Sequence, residues 1–292
     1  GVWIARLFII GHDACHQSFF SNRRVNRWMG RLVFLPSLTT YSLWEAGHNL
    51  GHHVYTNLSG YDYVWTPKTK AAYDAMPAWR RTLERFYRSG FGHGAYYGIE
   101  LWWKTLLFPG SDQIKTRSTT FTSDSWLVSI FGILWIAGLI GTGVATGQSI
   151  VLLVVCGFAL PFFIWNLLMG AVIYFHHTNP EVAWYDDIVE WEAARDGVSG
   201  TVLITFPFKL GRIINNIMEH PAHHLDVRIP LYNIEAAQAR LNEQNVRLLE
   251  QPLTWKYIVD CTRRCKLYDY TTHRWMGFDG EYTSDAVDLK AA

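Results

Sequence analysis

Hydrophobic and polar positions alternate irregularly along most of the chain, but two long stretches carry no charged residue. They cover residues 126–146 and 150–175 and are separated only by residues 147–149. A bilayer crossing needs about 20 consecutive apolar residues, and buried helices of soluble proteins are usually shorter. We therefore predict two transmembrane helices, joined as a hairpin because the link is too short to cross anything. Pro161 predicts a kink in the second helix.

Shorter apolar stretches flank this hairpin. Residues 32–44 are uncharged and predict a half-span or an interfacial helix. Residues 91–108 are aromatic with few charges and predict a helix lying in the headgroup zone. The chain begins with Gly, and residues 1–11 look like the end of an apolar helix. We therefore expect preceding sequence that includes at least one membrane segment. Residues 243–292 are polar and mixed in charge, as in a soluble tail.

Charged residues predict the orientation of the hairpin. Residues 62–125 contain nine Lys and Arg, whereas the hairpin link contains none. By the positive-inside rule, the flanking regions 12–125 and 176–292 are then cytoplasmic or interfacial. We expect a multi-pass integral membrane protein with every histidine on the cytoplasmic face. The net charge of +1, with no basic run interleaved with aromatics, gives no support for nucleic-acid binding.

The four cysteines form no disulfide framework and no C-x-x-C pair. The favoured interpretation is reduced thiols in a chain that faces the cytoplasm. Cys261 and Cys265 are spaced to share one side of a helix, which leaves a metal-binding pair as the alternative.

Ten of the twelve histidines fall into four tight groups. The groups are His12 with His16, His48 with His52 and His53, His176 with His177, and His220 with His223 and His224. Residues three or four apart lie on the same side of an α-helix. In every group except the adjacent pair His176 and His177, the spacing can therefore direct two or more imidazoles at one point. Four such groups on one predicted membrane face indicate a metal site. His93 and His273 stand apart and are expected to be surface or packed histidines.

Nine or ten histidines exceed the four to six ligands of one ion and therefore indicate two ions. Imidazole suits zinc, copper, iron and nickel alike, so the ligand type does not choose the metal. The known zinc spacings are absent from the sequence, and so is the ferritin-like carboxylate pattern with its paired Glu-x-x-His motifs, since only one such motif occurs, at Glu45 and His48. An all-histidine pair of irons, which activates dioxygen, is the remaining candidate.

The histidine groups belong to longer motifs that match a known family. HDACH, HNLGHH and HPAHH resemble the three histidine boxes of the integral-membrane fatty acid desaturase and hydroxylase superfamily. DYVWTP, YFHHTNP and HHLDVRIPLYNI resemble further segments of its acyl-lipid desaturases, and the resemblance covers nearly the whole chain. It implies an all-α integral membrane fold, in which a four-helix membrane domain is capped by a cytoplasmic helical domain carrying the boxes. It also implies a single domain over residues 1–292.

The resemblance implies two iron ions, with dioxygen as co-substrate. Its implied iron ligands are His12, His16, His48, His52, His53, His177, His220, His223 and His224. His176 occupies the place of a glutamine in the family and is left out. Asp13, Glu45 and Asp62 are expected either to orient ligand N–H groups or to be ordinary polar residues. The aromatic residues Phe8, Trp44, Trp102, Trp103 and Phe175 are candidates for an acyl channel, with packing or contact with lipid as the alternative.

Two departures from the acyl-lipid desaturase pattern bear on the reaction. His48 and His52 are separated by three residues instead of two, and Asn179 replaces a histidine. The expected function is dioxygen-dependent desaturation of a fatty-acyl chain that is lipid-linked, carrier-linked or a free acid. The alternatives are a hydroxylase or other oxidase acting on alkanes, carotenoids or fatty acids, including alkene-forming decarboxylation, and a non-enzymatic metal transporter or sensor. A transporter would be expected to carry ionisable residues within its spans, and these spans have none.

Electron supply is expected to come from a separate protein. The sequence contains no H-P-G-G haem motif, no cysteine set for an iron–sulfur cluster and no G-x-G-x-x-G fingerprint. We therefore expect a ferredoxin or a small haem cytochrome to dock on the basic cytoplasmic face.

Overall fold

The computed structural model describes residues 1–109, 118–195, 198–244 and 246–287, and the remaining parts of the predicted cytoplasmic flanks lie outside the described residues. The α-helices in chain order are α1 (Val2–Cys15), α2 (Arg23–Phe34), α3 (Tyr41–Glu45), α4 (Lys70–Asp74), α5 (Ala78–Tyr87), α6 (His93–Tyr96), α7 (Thr119–Thr146), α8 (Ile150–Val154), α9 (Leu160–His177), α10 (Ile188–Ala194), α11 (His220–Leu225), α12 (Leu231–Asn242) and α13 (Trp255–Arg264). The π-helical segments are Ala46–His52, Tyr97–Leu107 and Val155–Ala159, and the 3₁₀ segments are Leu35–Ser37 and Pro207–Ile214. The strands are β1 (Leu203–Thr205), β2 (Glu250–Pro252), β3 (Leu267–Asp269) and β4 (Arg274–Met276).

The chain forms two compact units, each made of two separate pieces of sequence. The first unit contains Gly1–Asn49 and Gly94–Gly170, and the second contains Leu50–His93 and Ala171–Ala292. The fold is mostly helical, as expected. Within the described residues it departs from an all-α fold in four short strands, which pair as β1 with β2 in parallel and β3 with β4 in antiparallel.

The two apolar stretches form helices long enough to cross a membrane. These helices are Thr119–Thr146 and Ile150–His177, and only 17% and 11% of the residues in their most apolar windows are buried. A core helix of a soluble protein would be mostly buried, so this exposure calls for an apolar surrounding. The first helix begins seven residues before the predicted start because Ser118 caps it, and Gly147 ends it in a left-handed conformation.

The second apolar helix changes its hydrogen bonding at the position where the sequence predicts a kink. Proline lacks an N–H and cannot donate to the carbonyl four residues earlier. The π-helical segment Val155–Ala159 lies immediately before Pro161 and runs into α9. The helix therefore accommodates the proline by a π turn and continues. Trp135 and Phe158 pack edge to face at 5.2 Å, so the two apolar helices lie side by side.

The core of the first unit is aromatic and lies beside α1. Phe8 is buried between the rings of Phe34, Trp44 and Trp165, with ring centroids 4.6, 4.8 and 4.5 Å away. One turn further along α1, Gly11 faces the Phe34 ring so closely that a Cβ would overlap it. This packing fixes α1 immediately before His12.

The structure breaks the predicted helix over residues 32–44 into three parts. The helix α2 ends at Phe34, Pro36 lies in a 3₁₀ turn, and Leu38 adopts a left-handed conformation before α3 begins. The prediction of one half-span or interfacial helix is therefore wrong here. Proline and the left-handed residue override the apolar composition of the stretch.

The predicted helix over residues 91–108 is present but mostly π-helical. It begins as α6 and continues as Tyr97–Leu107. Gly94 and Gly98 lie against Leu167 and Asn166 of α9, where an added Cβ would come within 2.7 and 2.9 Å. The two glycines therefore allow close helix packing.

The second unit includes most of the predicted C-terminal tail in its core. Tyr268 and Trp275 are completely buried, pack edge to face at 5.0 Å, and occupy paired positions on β3 and β4. The Tyr268 hydroxyl accepts a hydrogen bond from the backbone of the buried Trp184. Although polar overall, this part of the chain forms a packed hairpin.

Candidate metal centre

Four buried or half-buried histidines of the second unit converge on one point. Their ligand nitrogens all lie within 4.8 Å of one another, and the four residues are His52, His177, His220 and His224. His52 ends the π-helical segment, His177 ends α9, and α11 carries the other two. The Nε2 atoms of His177 and His220 are only 2.8 Å apart.

Hydrogen bonds to Nδ1 orient three of these rings. The His52 Nδ1–H donates to Asp62, whose two carboxylate oxygens both lie at 3.1 Å, and the His177 Nδ1–H donates to the Gly200 carbonyl at 2.8 Å. Thr56 donates its hydroxyl proton to the His52 carbonyl, so its oxygen accepts from the His224 Nδ1–H at 3.3 Å. With Nδ1 protonated, each of the three rings presents an Nε2 lone pair to the cluster.

Protein groups alone do not explain the centre of this cluster. Nε2 of His224 and Nδ1 of His220 are buried and have no hydrogen-bond partner within the described part of the chain. The Nε2 atoms of His177 and His220 are spaced either as one hydrogen bond, donated by His220, or as two ligands of one ion, according to the tautomer of His220. Burial and the neighbouring histidines lower the pKa of His220 and His224 well below the usual value. Neutral, convergent imidazoles of this kind fit a bound metal ion.

The first unit contains a second cluster, of three histidines. The ligand nitrogens of His12, His16 and His48 lie within 4.8 Å of one another. The His12 Nδ1–H donates to Asp13 at 3.1 Å, and the His48 ring stacks on Trp44 with centroids 4.8 Å apart. This arrangement also suits a metal ion, because one ring is held by a carboxylate and another by an aromatic face.

Two further sequence-predicted ligands, His53 and His223, face each other in the second unit. Their Nε2 atoms are 3.2 Å apart. Each of the nine predicted ligands thus lies beside at least one other. The predicted orienting role of Asp13 and Asp62 agrees with their contacts, whereas Glu45 accepts hydrogen bonds from Gln17 and Tyr41. Burial raises the pKa of the Glu45 carboxyl.

The middle histidine box is π-helical, whereas the sequence predicts an α-helical arrangement. The segment Ala46–His52 closes its hydrogen bonds one residue later than an α-helix does. The four-residue step from His48 to His52 therefore corresponds to about one π turn, as a step of three or four does in an α-helix. The extra residue of this box is thus accommodated by local winding.

The three histidines outside the predicted ligand set have packing contacts. The His176 ring stacks on His220 at 3.5 Å, and its Nε2 lies 3.0 Å from the Met218 sulfur. His93 is buried against Tyr174 at 4.3 Å, and burial with nearby Arg88 and Lys266 lowers its pKa to about 4.

His273 lies between the Trp184 carbonyl and Glu190, with Nδ1 3.1 Å and Nε2 2.9 Å from its partners. His93 and His273 are therefore packed histidines, one of the two expected environments.

Other candidates from the sequence take structural positions. Phe8 and Trp44 form the first unit's core, and the Trp102 indole donates to the Leu38 carbonyl at 2.7 Å. Trp103 is exposed, and Phe175 packs on His93 at 5.6 Å. The contacts of Phe8, Trp44, Trp102 and Phe175 agree with the packing alternative, and the exposure of Trp103 agrees with contact with lipid.

All four cysteines are free, and Cys261 donates to the Thr178 carbonyl at 3.2 Å. Burial raises the pKa of Cys265 well above its usual value. Neutral, buried thiols of this kind agree with reduced structural cysteines.

Sequence reasoning missed two groups that orient ligands, Thr56 and Gly200. Thr56 follows His52 by four residues, so helical spacing could have indicated it. The Gly200 carbonyl carries no side-chain signal and is identified only by the fold.

Comparison with known proteins gives consistent matches. A family model described as fatty acid desaturase matches residues 1–255. The chain is similar to the sn-1 oleoyl-lipid 12-desaturase of Synechocystis sp., with 29% identity over 274 residues covering 92% of this chain and 74% of the relative. The corresponding protein of Picosynechococcus sp. is 30% identical over 286 residues, covering 95% and 77%. An sn-1 acyl-lipid omega-3 desaturase (ferredoxin) of Nostoc sp. is 29% identical over 303 residues, covering 100% and 78%.

Proposed function

The chain belongs to the fatty acid desaturase family, and on that basis we propose that its histidine clusters form a di-iron centre that desaturates a lipid-linked acyl chain. As a fatty-acyl desaturase it is an oxidoreductase that introduces a double bond. The hydroxylase and general oxidase alternatives are not favoured, because the curated relatives reported above are all named desaturases.

The observation that carries the metal proposal is the pair His177 and His220. The Nδ1–H of His177 is donated to Gly200, so its Nε2 presents a lone pair to the His220 Nε2 at 2.8 Å. Nitrogens at this spacing can both bind one metal ion, whereas without an ion the His220 Nε2–H would donate to His177. Since both rings are buried, they would hold the ion away from bulk water.

The proposed ligands are the nine histidines named from the sequence. They are His12, His16 and His48 of the first unit and His52, His53, His177, His220, His223 and His224 of the second. When bound, the two irons would supply the dioxygen chemistry needed at an unactivated methylene, which acid–base side chains cannot perform. The protein's part is to fix the rings through Asp13, Asp62, Thr56 and Gly200 and to exclude water.

The membrane arrangement is also a proposal. The helices Thr119–Thr146 and Ile150–His177 are apolar, long and mostly unburied, which supports a membrane location. We propose that they belong to a four-helix membrane domain, that a cytoplasmic helical cap carries the boxes, and that residues 1–292 act as one domain. The ion pair of the half-buried Arg31 with Asp124, 2.8 Å apart at the head of α7, supports placing this helix end outside the hydrocarbon core.

Electrons are proposed to come from a separate one-electron donor. Removing two hydrogens with one dioxygen consumes two electrons and two protons and releases two waters. The Nostoc relative carries ferredoxin in its name, which supports a ferredoxin, with a small haem cytochrome as the second candidate.

Product and metal analysis test this function together. The intact protein is expressed in a lipid-producing host, and its lipids are analysed by mass spectrometry beside those of a His177→Ala variant. We expect acyl chains lighter by two hydrogens only with the parent protein, and iron in the purified protein. A product heavier by one oxygen without a new double bond would refute desaturation. Active protein that contains zinc and no iron would refute the di-iron centre.

A further inference from the structure

A short segment of the second unit presents apolar side chains outward from a fixed backbone. The segment is Pro207–Ile214, and it lies between β1 and the third histidine box. Phe208 is 94% exposed, and Leu210 and Ile213 are also exposed. Phe208 and Lys209 both have left-handed backbone angles, with φ of 55° and 57°. Non-glycine residues rarely adopt this conformation, so Phe208 is both strained in its backbone and exposed in its side chain.

Both ends of this segment are tied to the end of the second apolar helix. Before it, the Val202 N–H donates to the His176 carbonyl at 2.9 Å. After it, the Met218 sulfur lies 3.0 Å from the His176 Nε2, and the Met218 carbonyl accepts from the Ile204 N–H at 3.4 Å. Pro207–Ile214 therefore lies on a loop whose two flanks are both held beside His176, at the end of the apolar helix.

The charged residues of the segment face a polar neighbour. Lys209 and Arg212 both approach Glu235 of α12, with nitrogen–oxygen distances of 3.8 and 3.0 Å. Glu219 also lies near Glu235 and Glu250, so this edge carries charges of both signs. Exposed apolar side chains beside a charged edge are the composition of a segment that lies at the headgroup–acyl boundary of a membrane.

We propose that Pro207–Ile214 is an interfacial lipid anchor, with Phe208, Leu210 and Ile213 inserted at the headgroup–acyl boundary. This proposal rests on the proposed function, since it assumes that the helix Ile150–His177 crosses the bilayer. Because the segment is tied to His176 and is followed by α11, the anchor holds the third histidine box at the depth of the membrane surface.

Site-directed spin labelling tests the anchor in the whole protein. The exposed Cys156 is replaced by serine, since the other three cysteines are buried. A nitroxide is placed at position 208 through Phe208→Cys, and the iron-loaded protein is reconstituted in nanodiscs of phosphatidylcholine and phosphatidylglycerol. Phe208 makes little contact with the protein, so the label removes no core packing. Iron content and thermal midpoint check the fold of each labelled protein.

Two matched positions provide the references. Leu134→Cys, 65% exposed on α7, reports lipid, and Val189→Cys, 71% exposed on the charged helix α10, reports water. We expect the label at 208 to collide more often with oxygen than with a water-soluble nickel chelate, as at 134, and the label at 189 to show the reverse.

The references separate the two levels of the proposal. A label at 208 as accessible to nickel as that at 189, while 134 contacts lipid, would overturn the anchor alone. Protection of 208 only after a protein electron donor is added would also overturn it and would assign the segment to donor docking. A label at 134 that contacts water would overturn the membrane topology proposed above.

Discussion

His52 and Asp62 form a carboxylate–imidazole pair in which both Asp62 oxygens lie 3.1 Å from the His52 Nδ1. The same carboxylate also accepts from the backbone N–H groups of Asn57 and Val64, at 2.9 and 3.0 Å. Asp62 is therefore held rigidly and in turn holds the ring. Such partners typically increase metal affinity 10- to 100-fold.

We expect Asp62→Asn to lower iron affinity by about 10- to 100-fold, because the amide cannot accept from both the ring and the backbone. Iron retained after dialysis against a graded series of chelator concentrations measures the change. Asp74→Asn is the control, since Asp74 is an exposed carboxylate paired only with Lys70 among the contacts described for it. Equal retention in the two variants would show that Asp62 does not orient a ligand.

The neighbours His176 and His177 should differ sharply. We expect His177→Ala to lose about half of the bound iron, because His177 belongs to the convergent four-histidine cluster. His176→Gln should keep its iron, since the His176 ring stacks on His220 without belonging to that cluster. Elemental analysis of both purified variants measures the contents. Iron loss in His176→Gln from folded protein would place a tenth histidine at the centre.

Local winding of the middle box predicts tolerance to a deletion. Leu50 is 70% exposed and lies in the π-helical segment Ala46–His52. Deleting it should return the segment to an α-helix with His48 three and four residues from the following histidines, so iron should be retained. Inserting an alanine after Leu50 should abolish iron binding. Folded but iron-free deletion protein would contradict this role of the π turn.

Two glycines that look alike in sequence should respond differently to alanine. A Cβ at Gly11 would overlap the Phe34 ring, whereas a Cβ at Gly138 would meet nothing within 4 Å. We expect Gly11→Ala to destabilise the protein by about 1–3 kcal/mol and Gly138→Ala to leave its stability unchanged or slightly increased. Thermal midpoints in one detergent compare the two. Equal midpoints would mean that α1 can move away from Phe34.

His93 should make the protein less stable in acid. Its pKa falls to about 4 in the folded state because of burial and the cations Arg88 and Lys266. Between pH 6.5, the ordinary pKa of histidine, and about pH 4, the unfolded chain binds a proton that the folded chain does not. The contribution of His93 to the free energy of unfolding is therefore complete above pH 6.5 and decreases as the pH drops through this range. The loss is on the order of 3 kcal/mol. We expect His93→Phe to lose less stability from pH 7 to pH 5, as measured by thermal midpoints at fixed salt. A slope equal to that of the parent would show that His93 does not contribute.

The sequence made the apolar helices and the histidine clusters predictable because each signal is local and strong. Uncharged stretches of more than 20 residues match the length of a bilayer crossing and exceed that of most soluble helices, and histidines three or four apart are rare in such number. Pro36 could have indicated the break after Phe34, whereas the left-handed Leu38 and the π turn at Ala46–His52 were not predictable, because they depend on packing and on one extra residue in a turn. The role of the Gly200 carbonyl could not be predicted, because every residue has a backbone carbonyl and the sequence does not distinguish among them.

The four histidines of the second-unit cluster come from widely separated parts of the chain. His52 precedes the apolar helices, His177 ends them, and His220 and His224 follow a strand and a 3₁₀ segment. An ion held by all four would cross-link these parts and remove much of the freedom of the unfolded chain. Iron would then complete the folding of this protein as well as its chemistry. In a cell short of iron, proteolysis of the iron-free chain would therefore lower the amount of enzyme. The turnover rate of each molecule that keeps its iron would fall only later.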